Sequence, residues 1–122
     1  AFAEFFIKTI DWGYATTSSA YMRHYFTNAC IGCRSTADAI DKDRRQSHRY
    51  IGDRFSIRAA QLVLPGPDRP VILATFDVDS VEVVDRHGNF VDASPALTNF
   101  RDRVTLDWRA GRWHVLSEVP QT

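Results

Sequence analysis

The chain has 122 residues, enough for one domain that buries about two-thirds of the surface its unfolded form would expose. Hydrophobic residues make up 44%, charged residues 25% and aromatics 12%, and the 15 basic side chains balance the 15 acidic ones, so no excess of cations is present to displace counterions from phosphates and nucleic acid is excluded as a partner. No apolar run approaches the roughly 18 residues that a membrane-spanning helix needs, and no repeat, low-complexity tract or linker divides residues 1–122, which are read as a single domain.

Residues 2 to about 16 carry an amphipathic helical pattern. Phe2, Phe6, Ile10 and Tyr14 recur every four residues, Ala3, Ile7 and Trp12 widen the stripe, and Glu4 and Lys8 form a favourable i,i+4 pair on the opposite face. Thr16-Thr17-Ser18-Ser19 breaks this helix and caps a second, short one, with Tyr21, Met22, Tyr25 and Phe26 inward and an end near Asn28. Ser35-Thr36-Ala37-Asp38 has the serine-to-acid spacing of a capping box. It predicts a third helix over about 36–50, with Ala37, Ile40 and Tyr50 inward. Asp38, Asp41 and Asp43 precede Arg44, Arg45 and Arg49, an order that complements the helix dipole.

From Gly52 the hydrophobic period changes from 3.6 to 2. Residues 54–64 read as a strand whose parity switches at a bulge near Ala59-Ala60, and Pro65-Gly66-Pro67-Asp68 as a turn. Residues 71–84 form the longest extended segment, bent after Ser80. Asp85 to Asn89 is a turn, and 91–99 a loop. Phe100, Val104, Leu106 and Trp108 then alternate with Arg101, Arg103, Thr105 and Asp107, Ala110-Gly111 turns the chain, and Trp113, Val115 and Val119 face inward from a last strand. Helices followed by an antiparallel meander predict an α+β fold, with N-terminal helices packed on a curved antiparallel sheet.

Cys30-Ile31-Gly32-Cys33 is the sharpest local motif. A structural disulfide is the first reading, and closing so short a loop contributes about 2 kcal/mol. A redox-active pair is the second, because Cys33 precedes a helix N-terminus, where a thiol pKa falls; a thioredoxin-type motif, however, follows a strand and not a helix. Zinc would need further ligands, for which His24 and His48 are the nearest candidates, without a second Cys pair or a His-x-x-x-His spacing. No metal site and no cofactor are expected, and no nucleophile elbow or other catalytic signature is present. Asp77 and Asp79 share a strand face that reads as solvated. Asp102 breaks the inward parity between Phe100 and Val104: exposure at a strand end is the plainer reading, and a buried carboxyl partnered by Arg58, Tyr14, Tyr21 or Tyr25 the other. The helix aromatics fill the gap between helices and sheet or line a pocket, for which Phe6, Tyr14, Tyr25, Asp102 and Trp113 are the candidate residues.

The aromatic first helix, the Thr/Ser break, the short second helix and the closing Trp108-Arg109-Ala110-Gly111-Arg112-Trp113-His114-Val115 hairpin resemble the nuclear-transport-factor-2-like, or cystatin-like, superfamily, in which a curved sheet wraps its helices as a cone. With Cys30, Cys33 and Trp113 in that order, the chain is similar to a domain of uncharacterised actinobacterial lipoproteins, a resemblance that covers nearly all of it. This implies an extracytoplasmic, cell-envelope location, where a disulfide persists, and a membrane association only through an N-terminal anchor absent from this sequence. No activity comes with it. The superfamily's small isomerases and dehydratases place a tyrosine on the first helix and acids on the sheet; here Phe5 or Phe6 falls at that tyrosine's place and Tyr14 comes later. The expected role is a non-catalytic binding or scaffolding module, monomeric, with an envelope protein or a small apolar ligand as partner. The alternatives are a small enzyme in the cone mouth, with Asp102 as base and Tyr14 or Tyr25 as donor, and thiol redox through Cys30 and Cys33.

Overall fold

In a computed structural model, residues 2–52, 54–67 and 69–121 are described. Three helices come first: α1 (Phe2–Thr16), α2 (Ala20–Arg23) and α3 (Ile31–Arg45). Seven strands follow: β1 (Arg49–Gly52), β2 (Phe55–Leu64), β3 (Val71–Val78), β4 (Val81–Val84), β5 (Phe90–Ser94), β6 (Leu97–Arg109) and β7 (Arg112–Gln121). The strands make two antiparallel sheets, one of four strands in the order β2-β3-β6-β7 and one of three in the order β1-β4-β5. The α+β architecture expected from the change of period is the one observed, with the sheet split in two after Val78. No described helix is long and apolar enough to cross a membrane.

The apolar stripe of α1 faces the four-stranded sheet. Phe6, Ile10, Met22, Cys30, Cys33, Ala37, Ile40, Val104, Leu106 and Val115 form one buried cluster, and Ile7 joins Ala74, Phe76 and Val78 in a second. Two residues assigned to inward stripes lie outside this core: Trp12 and Tyr21 are exposed and pack on each other, with ring centroids 5.3 Å apart. Helix α2 is a single turn, and the side chain of its N-cap Ser19 accepts no hydrogen bond from the helix backbone. The Ser19 hydroxyl instead donates to Asp41 on α3 at 2.6 Å and accepts from Arg23 at 2.8 Å, while Arg23 also reaches Asp38 and Asp41 at 2.9 and 2.7 Å. The charged face of α3 thus anchors α2. Beyond it the chain crosses to β7, where Thr27 N–H donates to the Val115 carbonyl and Val115 N–H to that of Tyr25.

The third helix differs from expectation at both ends. It starts at Ile31, not near Thr36, and the group that caps it is the sulfur of Cys30, which accepts a hydrogen bond from the Cys33 N–H at 3.3 Å, so Ser35 lies within the helix and makes no capping box. It stops at Arg45, and Tyr50 lies on β1, where its hydroxyl donates to Asp43. Residues 91–99 are mostly strand, supplying β5 and the start of β6. The expected bulge in β2 falls at Arg58, between the pairs Ile57–Phe76 and Ala59–Thr75, and a second register shift follows at Val63. The expected turn at 65–68 includes Asp68, which is outside the described residues.

Register in the last hairpin decides what faces the helices. Leu106 pairs with Val115 but Thr105 pairs with Ser117, leaving Leu116 as an extra residue in β7. Because side chains alternate, one extra residue reverses the parity beyond it. Glu118 therefore turns inward opposite Val104, and Val119, expected inside, is 51% exposed.

Candidate functional site

The cavity of interest, about 200 Å³, lies where α1, α3 and the four-stranded sheet converge and is lined by Ile10, Tyr14, Thr36, Phe55, Phe76, Val78, Leu97, Phe100, Asp102 and Glu118. Its position follows from a few anchors. Asp11 on α1 is buried and accepts from the Phe55 N–H at 3.2 Å and from Arg54 at 2.8 Å, which holds the first residue of β2 beside Tyr14. Tyr14 then stacks on Phe55, Phe55 on Phe76 with centroids 5.4 Å apart, and Phe76 tilts against Phe100 at 5.2 Å.

Asp102 is the polar centre of this wall. It lies on β6 between Ala74 of β3 and Pro120 of β7 and is 2% exposed. Burial corrects the plainer expectation of an exposed strand end. Its partner is not Arg58, which is paired with Asp77 at 2.6 Å, nor a tyrosine, but a second acid, Glu118, diagonal to it on the same face. Loss of hydration, the hydrogen bond to Glu118 and the like charge beside it push the Asp102 carboxyl up to about 9, so Asp102 holds its proton at neutral pH. Its Oδ1 is buried and has no hydrogen-bond partner among the described residues, a state that costs about 1–3 kcal/mol unless something else satisfies it.

Glu118 lies against the first turn of α3. A Cβ on Gly32 would lie 2.8 Å from the Glu118 carbonyl oxygen and 3.2 Å from its carboxylate, so only glycine lets the first turn of α3 close over this part of β7. Gly32→Ala is expected to lower stability by about 1–3 kcal/mol, despite alanine's better helix propensity; urea unfolding of the two proteins measures it.

The residues expected to line one pocket are divided by the structure. Tyr14 and Asp102 meet in the cavity just described. Phe6 is fully buried in the core, edge-on to Phe26, and is not part of that cavity's wall. Tyr25 packs against Phe2 and Phe5 near the start of α1, away from Tyr14. Trp113 lines a different cavity of about 330 Å³, with Phe2, Ala3, Ala60, Leu62, Ile72 and Leu106. Larger though it is, that cavity has no charged side chain among the described residues of its wall to orient a ligand. Glu118 is the residue that sequence reasoning missed.

Cys30 and Cys33 are joined in a disulfide and both are fully buried, packed in the core beneath α3. The bond spans the first turn of α3. Among the described residues, no three His, Cys, Asp or Glu side chains are grouped to hold a metal ion.

No protein-family model matches the chain, and no curated protein matches it in sequence. Solved structures do resemble it in fold. The intermembrane space region of the chloroplast protein ARC6 superposes with a TM-score of 0.59 at 13% identity, covering 98% of this chain and 94% of that one. A candidate aromatic ring hydroxylase from Novosphingobium aromaticivorans gives 0.65 at 11% identity, with 98% and 85% covered. An uncharacterised protein with a cystatin-like fold from Caulobacter vibrioides gives 0.54 at 12% identity, with 98% and 87% covered. The fold is therefore cystatin-like, and at these identities the likeness speaks for fold alone.

Proposed function

We propose that this chain is a non-catalytic binding module that works outside the cytoplasm, as a monomeric domain of a cell-envelope lipoprotein or membrane-associated assembly, and that it holds a small, largely apolar ligand in the cavity between α1, α3 and the sheet. The observation that carries this reading is the cavity itself: apolar and aromatic walls converging on one buried carboxyl whose Oδ1 lacks a partner among the described residues. That combination, an apolar lining with a few placed polar groups, is the usual composition of a ligand site. At about 200 Å³ it is smaller than the roughly 300–1,000 Å³ of drug-sized pockets, and suits a molecule of one ring. The extracytoplasmic placement is supported by the disulfide, which reducing compartments do not maintain. Burial of both sulfurs argues against a thiol-exchange role, since exchange needs an accessible sulfur.

An enzymatic second reading draws on the same acid pair. Asp102, protonated at neutral pH, fits a proton or hydrogen-bond donor and not the base first expected, and Tyr25 lies outside the cavity lining. One experiment separates the two. One-ring compounds are screened by NMR against the labelled protein, expecting shifts at Tyr14, Phe76 and Phe100 without change in the compound over hours. The variant Leu97→Trp, which fills the cavity mouth, should remove those shifts while the rest of the spectrum persists. Product signals growing with time would favour the enzyme, and a screen in which no compound moves these residues would overturn the binding reading.

A further inference from the structure

The cavity has two features that select among small ligands. Its rings form a continuous wall: Tyr14 stacks on Phe55 at 6.1 Å, Phe55 on Phe76 at 5.4 Å, and Phe100 closes on Phe76 at 5.2 Å. Its polar end is formed by Asp102 and Glu118, and among the described residues the other polar side chains lining it are Thr36 and Tyr14. No lysine, arginine or histidine among the described residues lines it. An anion would therefore meet two carboxyl groups and no counter-charge. A neutral ligand would leave the two acids facing each other as before. A cation would be attracted by both the ring faces, which are negative, and the carboxyl oxygens.

Resting on the binding reading above, we propose that the cavity's ligand is a small organic cation, a primary or secondary ammonium on a compact hydrocarbon body, whose N–H groups donate to Asp102 Oδ1 and to Glu118 while the body lies against Tyr14, Phe55, Phe76 and Phe100. The buried Oδ1 without a described partner is the acceptor this ammonium satisfies. Two acids side by side in a desolvated wall keep a proton between them when the cavity is empty. An entering ammonium replaces that proton: the ligand brings one positive charge in, Asp102 releases one proton to solvent, and the charge of the site is unchanged. Binding is then a cation-for-proton exchange.

The titratable groups that face this exchange are Tyr14 from α1, Asp102 from β6 and Glu118 from β7; α3 contributes Thr36, β2 contributes Phe55, and β3 contributes Phe76 and Val78. The exchange predicts that affinity rises with pH, by roughly tenfold per unit for one proton released.

Isothermal titration calorimetry tests this with benzylammonium and cyclohexylammonium chlorides and their neutral counterparts benzyl alcohol and cyclohexanol. Titrations run at pH 7 and pH 8 in phosphate and in HEPES, whose ionisation enthalpies differ and neither of which is a primary or secondary ammonium. We expect at least one ammonium to bind tenfold or more tightly than its alcohol, with close to one proton released per ligand and tighter binding at higher pH. Asp102→Asn should abolish the proton release and weaken the ammonium at pH 8 by tenfold or more. If an alcohol binds as tightly as its ammonium, the cation inference is overturned and the binding reading survives. If neither class binds, both fall. Ammonium binding without proton release, or unaffected by Asp102→Asn, would overturn the inference as well, because the cation would then lie outside the cavity.

Discussion

Asp102→Asn is expected to abolish most of the loss of stability that the native protein undergoes as pH rises from about 4 to about 9. In the unfolded chain this carboxyl ionises near its ordinary value of 3.8, whereas in the folded protein burial, the hydrogen bond to Glu118 and the neighbouring charge raise it to about 9. Between those values the folded state binds more protons than the unfolded one, so stability is greatest at the acid end and falls with rising pH. The slope reaches at most about 1.4 kcal/mol per pH unit, which sums to several kcal/mol across the window, a large part of the ~5–15 kcal/mol that stabilises a typical domain. Asparagine cannot ionise yet can still donate to Glu118. Urea unfolding at about pH 4, 7 and 9 is therefore expected to show native and variant proteins alike at the acid end, and the variant the more stable at the alkaline end. Parallel pH profiles would mean that Asp102 ionises normally. Other shifted carboxyls do not confuse the experiment. Asp77 is held below its usual range by Arg58, and Asp85 by the Asn89 N–H. For Asp41 burial pulls upward, but Ser19 and Arg23 outweigh it and lower it. Depressed carboxyls add stability that is present above about pH 4 and lost only below it.

Phe6→Ala is expected to cost about 3–5 kcal/mol. The ring is fully buried, sits edge-on to Phe26 with centroids 6.5 Å apart, and belongs to the cluster joining α1 and α3 to β6 and β7. Its neighbours in that cluster have little freedom to collapse, because Cys30 and Cys33 are covalently joined and Val104 and Val115 lie on paired strands. By contrast, Phe100 is half-buried at the cavity edge, and Phe100→Ala should weaken ligand binding with a smaller loss of stability. Chemical denaturation of both variants distinguishes a core residue from a lining one. A mild Phe6→Ala would mean that Phe6 serves the cavity after all.

Helix α1 was legible because its stripe has a clear period and a buried face, and β3 and β6 were legible because alternation survives wherever one face is covered. Elsewhere the signals were absent for physical reasons. Strand β5 is exposed at every residue, so it has no buried parity to betray it and is held by backbone pairing to β4. The start of α3 carries a cap that no propensity rule anticipates, a half-cystine sulfur, and it runs through a glycine kept for closeness to Glu118. At its far end Tyr50 kept a helical spacing while belonging to a strand. Half of the candidate site was visible: Asp102 stood out as a charge on an inward parity. Its partner was hidden, because strict alternation from Val115 places Val119, and not Glu118, inside.

That displacement makes the chemistry of the cavity a matter of register. Were Leu116 paired with Thr105 instead of bulging, regular register would carry Val119 into the wall and put Glu118 in water. Asp102 would then face a hydrocarbon neighbour, and the space would become a greasy slot with a solitary acid. A one-residue slip of register in this hairpin, without any substitution, would thus exchange one class of guest for another. Among relatives of this fold, the presence or absence of this bulge is the feature to compare before residue identity.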